Sequence, residues 1–155
     1  MRKAWAVLVV ATAIFAAGPG WAADSATLTV QALVVPTCMF EAPKTATLDF
    51  GSLTPGGGNV TQSAIARFWC TAGVSTLNFA VGNGLNYSGT SRGMKHATFA
   101  DVIPYSIDSV TPDGNPNAGP ASPRTVTIQG TVQAAAYAAV TAGAYSDTVL
   151  VSINP

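Results

Sequence analysis

The chain has 155 residues, of which 48% are hydrophobic and 9% charged, and its seven basic side chains equal its seven acidic ones in number. This length and apolar content suit a globular domain with a buried core and do not suit a disordered chain. The balanced charge offers no basic surface for nucleic acid, and one histidine with two cysteines provides few ligands for a transition metal. Fifteen glycines and ten prolines disfavour a helical bundle. We therefore expect no cofactor and no nucleic-acid partner.

Residues 1–22 have the order of a secretory signal peptide. Two basic residues precede an uncharged apolar run at 4–17, and Gly-Pro-Gly at 18–20 then breaks any helix. A membrane anchor is the alternative, but the run is shorter than the roughly 20 apolar residues that span a bilayer. The sequence therefore predicts export. Residues 23–155 would keep five basic and seven acidic side chains, a net charge of about −2 at neutral pH.

Both cysteines, Cys38 and Cys70, lie in the part of the chain that we expect to be exported. An even pair in an exported protein predicts one disulfide. The bridge would close a loop of about 30 residues, for which chain entropy gives a stabilisation of about 3–4 kcal/mol. A redox or nucleophilic thiol is the alternative, but the chain has no Cys-x-x-Cys pair to support it.

Short segments with alternating apolar residues follow one another along the exported part. They predict strands at 27–35, 45–50, 62–70, 76–81, 102–107, 125–132 and 145–153. Stretches rich in glycine, asparagine or proline predict loops at 54–59, 82–93 and 111–123. Pro104 indicates an edge position or a bulge in its strand. The alanine-rich stretch 134–144 predicts at most one short turn of helix. The pattern as a whole is typical of an all-β sandwich.

The first and last predicted strands each carry an alternating apolar face. The face of the first strand consists of Leu28, Val30, Ala32 and Val34. The face of the last strand consists of Tyr145, Asp147, Val149, Val151 and Ile153. Nothing beyond the last strand resembles a further strand.

The residues that could support chemistry form no recognisable constellation. His96 is the one imidazole, and no Gly-x-Ser-x-Gly nucleophile elbow lies near it, so we expect a surface histidine in a loop. Asp108 and Asp113 do not match the spacing of a calcium loop and are expected to be solvated loop acids. The expectation is therefore a protein that is not an enzyme. A small exported enzyme is the alternative, and loss of an activity in His96→Ala would support it.

Several short motifs occur in the order and spacing of a known family. They are Leu48-Asp49-Phe50-Gly51, Arg92-Gly93-Met94, Ile103-Pro104-Tyr105-Ser106-Ile107, Val126-Thr127-Ile128-Gln129-Gly130 and Ala142-Gly143-Ala144-Tyr145-Ser146-Asp147-Thr148-Val149-Leu150-Val151. With them the exported chain resembles the spore coat U domain, which archaic (Csu-type) chaperone–usher pilus subunits share. The resemblance implies an incomplete immunoglobulin-like β-sandwich that lacks its last strand. A donor strand from a chaperone or a neighbouring subunit would complete it.

The resemblance also implies a division of the chain and a set of partners. Residues 23–35 would be a donor-strand segment that uses the face Leu28, Val30, Ala32 and Val34. Residues 36–155 would be the pilin-type domain, with an acceptor groove along Tyr145, Val149, Val151 and Ile153. Binding would occur by β-strand addition. The implied partners are a periplasmic pilus chaperone, an outer-membrane usher, and further copies or related pilus subunits.

We therefore expect a structural subunit of a surface pilus, exported through the periplasm and assembled by donor-strand exchange. Such a fibre would support cell adhesion and biofilm formation. The alternative is a secreted spore-coat or matrix protein that has the same domain and forms no pili. Residues 23–155 are too few for two such sandwiches, which favours a shaft or adaptor position over a two-domain tip adhesin.

Overall fold

The computed structural model describes residues 24–155, and the predicted signal peptide at 1–22 lies outside the described residues. The chain divides into two units, one ending at Leu33 and one running from Val34 to Pro155. The strands of the described residues all belong to the second unit. They are β1 (Cys38–Phe40), β2 (Val60–Cys70), β3 (Asn78–Val81), β4 (Arg92–His96), β5 (Val102–Pro112), β6 (Arg124–Val132), β7 (Tyr145–Ser146) and β8 (Val151–Asn154).

Six of these strands form one sheet, in the order β1-β2-β6-β5-β4-β7, and β3 pairs with β8 in a second, two-stranded sheet. Every pairing is antiparallel. The long ladder between β2 and β6 places Ala64 opposite Ile128 and Phe68 opposite Arg124. A bulge between Ile107 and Ser109 marks the point where β5 bends along β6. The fold is all-β and consistent with an immunoglobulin-like sandwich, as the sequence predicts.

The core follows from the alternation of side chains along β2 and β6. Phe68 in β2 and Val126 and Val132 in β6 are fully buried. Phe68 and Val126 pack with Cys70 in one apolar cluster, and Val132 packs with Phe50, Ile103 and Tyr137 in another. The strands predicted at 62–70 and 125–132 are therefore confirmed. Alternation succeeds here because the two strands share a nine-residue ladder and bury one face against the core.

The predicted disulfide between Cys38 and Cys70 is present. The two cysteines lie directly opposite each other in the ladder between β1 and β2. The bridge therefore fixes the three-residue strand β1 to the edge of the large sheet.

The strand around Pro104 is longer than predicted. β5 extends from Val102 to Pro112, so the predicted loop at 111–123 begins only at Asp113. Pro104 pairs with Gly93 of β4, and the pairing of β5 with β6 begins two residues later, at Ser106. The missing N–H of Pro104 therefore interrupts no second ladder. An edge position was predicted, and locally the proline occupies one.

The strand predicted at 145–153 is interrupted. β7 pairs with β4 in the large sheet, β8 pairs with β3 in the small one, and the four residues between them belong to neither. The predicted alternation nevertheless remains, because the odd-numbered side chains are half-buried and the even-numbered ones exposed. The segment therefore crosses from one sheet to the other without a change of face.

Two further predicted strands, at 27–35 and 45–50, form no ladder with any described residue. In the second of them Phe50 is buried and Leu48 half-buried, so its apolar side chains still turn inward. The alanine-rich stretch forms one 3-10 turn, Ala134–Ala136, which agrees with the prediction of a short turn. Within residues 24–155 no helix has the length and apolar character to cross a membrane.

Candidate strand-binding groove

An apolar groove opens between the inner face of the large sheet and two segments that belong to no ladder, 46–50 and 147–150. It consists of three adjoining cavities of about 400, 500 and 520 Å³. Leu48, Phe50 and Met94 line both the first and the second cavity. Ile128, Val149 and Val151 line both the first and the third, so the three cavities form one continuous depression.

The two lips of this groove have unpaired backbone. β8 pairs with β3 along one edge, and no strand of the described chain pairs with its other edge. Along the edge that faces β3, the last hydrogen bond before the groove runs from the Gly82 amide to the Leu150 carbonyl, at 2.8 Å. Residues 46–50 on the opposite lip also have no strand beside them within 24–155. Unpaired edges beside an apolar depression are a template for an added strand.

Three of the four residues predicted to line an acceptor groove do line it. Tyr145 and Val149 face the first cavity together with Val151. Ile153 instead packs in the buried cluster around Phe68 and pairs with Phe79 of β3. Along β8 the lining of the cavity therefore includes Val151 and does not include Ile153.

Asp147 also lines the groove, and its carboxylate accepts four hydrogen bonds. Its Oδ2 accepts from the Tyr105 hydroxyl at 2.7 Å. Its Oδ1 accepts from the Leu85 amide at 2.9 Å and from the Asn86 amide at 3.3 Å, and the Asn86 side chain donates to the same oxygen at 3.1 Å. We call Asp147, Tyr105, Leu85 and Asn86 the Asp147 clamp. Burial, reinforced by the bond to this carboxylate, raises the pKa of Tyr105 well above its usual range.

Arg92 supports the clamp from the neighbouring strand. It lies opposite Tyr105 in the ladder between β4 and β5. Its Nε donates to the Gly82 carbonyl at 2.8 Å, and its guanidinium also donates to the Val81 carbonyl at 3.2 Å. Three of the sequence motifs, around Arg92, Tyr105 and Asp147, therefore meet at one place beside the groove. The sequence shows the three motifs separately and does not predict that they lie close together in the fold.

His96 is not the surface histidine that the sequence predicts. It ends β4, is 7% exposed, and its ring packs against Phe99 and Tyr145 with centroid distances of 5.0 and 4.9 Å. Its Nδ1 accepts from the amides of Thr98 and Phe99, and its Nε2 lies 3.3 Å from the Ala142 carbonyl. Both ring nitrogens therefore lie within hydrogen-bonding distance of backbone groups. The turn after β4 and the distant residues Ala142 and Tyr145 enclose the ring together, which a local pattern does not reveal.

Asp108 and Asp113, the two aspartates predicted to be solvated loop acids, both accept hydrogen bonds from neighbouring residues. Asp113 accepts from the Thr125 amide at 3.0 Å and forms an ion pair with the buried Arg124 at 2.9 Å. These bonds, that from Thr125 first, hold the pKa of Asp113 far below its usual range. Asp108 accepts from the hydroxyls of Ser106 and Thr131, which lower its pKa. The described residues contain no group of side chains placed to hold a metal ion.

Most of the predicted donor-strand segment at 23–35 belongs to the unit that ends at Leu33, and Val34 and Val35 belong to the second unit. The apolar side chains of the segment are almost fully in water: Leu28 is 86%, Val30 82% and Leu33 88% exposed. Ala32 and Val34 are exposed as well. Residues 24–33 have extended or irregular backbone and form no ladder with any described residue. A run of exposed Leu and Val side chains is unusual on the surface of a folded monomer.

Residues 34–155 thus form an all-β fold with a groove along the large sheet, and residues 24–33 expose apolar side chains. The family model for the Spore Coat Protein U domain matches residues 24–152, and the chain therefore belongs to the spore coat U family. This domain is associated with chaperone–usher pilus subunits. A search of curated proteins found no match to the chain.

Proposed function

We propose that this protein is a structural subunit of a surface pilus, assembled by the chaperone–usher pathway through donor-strand exchange. In this mechanism residues 23–35 leave their own subunit and pair along the open groove of a neighbour. The groove of each subunit would hold a periplasmic chaperone strand until the exchange at an outer-membrane usher. The role is structural and involves no catalysis.

One observation carries the proposal: the apolar side chains of the segment 27–35 are exposed, while the second unit has an apolar groove whose lips lack partner strands. Each feature is costly in water by itself. Burying Leu28, Val30 and Val34 would contribute about 5–8 kcal/mol, before backbone pairing and ordering costs. Pairing the segment with a groove would also satisfy the backbone groups of both lips.

The proposal includes a sandwich that lacks its last strand. The supporting feature is the groove between segment 46–50 and segment 147–150, which leads into β8. One more strand in this groove would pair with both segments. An export signal at 1–22 would deliver the chain to the periplasm, where the disulfide forms. Polymerisation at the cell surface would then give a fibre that supports adhesion and biofilm formation.

Electron microscopy of cells with and without the gene tests this function directly. We expect thin surface fibres that carry the protein along their length, labelled by an antibody, and that disappear when the gene is deleted. Co-expression with a periplasmic pilus chaperone and an outer-membrane usher should give polymers that survive heating on a native gel. Protein secreted into the medium as monomers, with no fibres and no polymers, would instead support the coat or matrix alternative.

A further inference from the structure

We propose that Asp147 is a positioning residue, and that the Asp147 clamp keeps the lip of the groove ready to receive a strand. The inference rests on the proposed function, because it assigns a role in strand binding. The clamp would hold residues 148–150 extended along the groove. An incoming strand would then find an edge that is already in place.

The position of Asp147 in the chain is the first argument. It lies between β7 and β8, immediately before the three residues of the lip that have no ladder partner among the described residues. Its carboxylate is hydrogen-bonded to Tyr105 of the large sheet and to the loop at 85–86. The clamp therefore ties the start of the lip to two other parts of the domain at once.

The second argument is that the loop partner of Asp147 is itself fixed. Arg92 holds the carbonyls of Val81 and Gly82, at the point where β3 ends and this loop begins. Gly84 adopts a positive φ of 88°, and a Cβ at this position would collide with the Asp147 carboxylate. The glycine thus provides both the turn and the space that bring the Leu85 amide to Asp147.

The third argument is the chemistry of the bonds. A carboxylate that accepts four hydrogen bonds in a half-buried position is held more strongly than neutral groups would be. Without them, the bond from Gly82 to Leu150 would be the one hydrogen bond to residues 147–150 within the described part of the chain. A strand that binds would then have to order this lip as well, and the cost would reduce its affinity.

The test measures binding of a fluorescent peptide of residues 24–36 to the exported chain, at protein concentrations too low for self-assembly. Tyr105→Phe keeps the ring that lines the groove and removes the bond to Asp147. Asp147→Ala removes all four bonds. We expect Tyr105→Phe to weaken binding by about threefold to tenfold and Asp147→Ala by more than about tenfold.

Asp113→Asn is the matched control, because Asp113 also accepts several hydrogen bonds but neither it nor its partner Arg124 lines the groove. It should lower the unfolding midpoint and leave peptide affinity unchanged. Binding is measured well below every midpoint, so that a loss of stability alone does not change it. Faster amide exchange at 148–150 in the clamp variants, and not in Asp113→Asn, is the second expected result.

The outcomes separate the two proposals. If the unchanged chain does not bind the peptide, the proposed function is wrong. If it binds, and the clamp variants bind with equal affinity while losing only stability, donor-strand binding stands and the positioning role of Asp147 is overturned.

Discussion

The segments 27–35 and 145–153 have the same alternation of apolar residues but different surroundings. In the second, every odd-numbered side chain from Tyr145 to Ile153 is half-buried against the domain. In the first, the side chains on both faces are exposed and the residues belong to no strand of the described chain. A period of two therefore specifies which side chains share a face, and it does not specify whether a partner is present in the same chain.

The difference also predicts how each segment responds to a charge. A charge on the inner face of the later segment has to be buried among apolar groups, whereas a charge on the earlier segment stays in water until another strand surface covers it. The predictions below compare the two segments and the elements that hold the later one.

Val151→Asp should have the largest effect on the fold. Val151 pairs with Val81 of β3 and lines two cavities of the groove, so its carboxylate would be placed among apolar side chains at a cost of several kcal/mol. We expect the chain to aggregate or be degraded in the periplasm. Ser152→Asp, one residue along on the exposed face, is the control and should accumulate normally. Normal accumulation of Val151→Asp would show that its face is wrongly assigned.

Removing the disulfide should have the next largest effect. The bridge joins residues separated by 32 positions, and the double change Cys38→Ala with Cys70→Ala should lower the free energy of unfolding by about 3–4 kcal/mol. Urea unfolding measures the difference. Mass spectrometry of unreduced exported protein should find the two cysteine peptides linked, and two free thiols would contradict the bridge.

Gly143→Ala tests the segment that leads into β7. A Cβ at Gly143 would collide with the His96 ring, which is buried and bonded at both nitrogens. Because neither side can move freely, we expect a loss of about 1–3 kcal/mol in the free energy of unfolding. Gly58→Ala is the control, since a Cβ there would meet no atom within 4 Å. Equal stability of the two variants would mean that the His96 ring can move aside to make room for the added Cβ.

Acid should remove the contribution of Asp113 to the free energy of unfolding, which we expect to be smaller than the effects above. Its pKa is lower in the folded chain than the value of about 3.9 in an unfolded one. Its stabilisation is therefore complete above about pH 4 and is lost as the pH falls from there through the folded pKa. Urea unfolding at a series of pH values should show this loss, and Asp113→Asn should make the curve flatter. Parallel curves for the two proteins would contradict the assignment.

Sequence reasoning succeeded where local pattern and tertiary surroundings agree. β2 and β6 were predictable because each alternates over a long run and packs on one face. The interruption of the strand at 147–150 was not predictable, since the Asp147 carboxylate accepts hydrogen bonds from Leu85 and Asn86, about sixty positions earlier in the chain. The burial of His96 was missed for a similar reason: it depends on Tyr145, which lies far along the chain.

The groove was predictable only in part. The face shared by Tyr145, Val149 and Val151 follows from alternation, and the idea of a vacant strand came from the family resemblance. Two things escaped the sequence: the lip at 46–50, which was predicted as an ordinary strand, and the placement of Ile153 in the core. Both depend on which edges have a neighbour, and that is a property of the whole topology.

The smallest effect on the fold is expected from Val30→Asp, although it should have the largest effect on assembly. Val30 is 82% exposed, so a carboxylate there should change the free energy of unfolding by less than about 0.5 kcal/mol. Chaperone binding should remain, because it uses the groove of the same chain. Insertion into the next subunit should fail, because the charge would then have to enter an apolar groove.

Thr29→Asp is the matched control for that prediction. It places the same charge one residue away on the opposite face of the segment, which would point out of the groove, so it should still form polymers. The measurement is co-expression with the chaperone, followed by a native gel of heat-resistant polymers. Polymers from Thr29→Asp and none from Val30→Asp would identify the face of the segment that binds in the groove of the next subunit. If Val30→Asp instead destroys the chaperone complex as thoroughly as Val151→Asp, the segment belongs to its own core, and exchange through it is wrong.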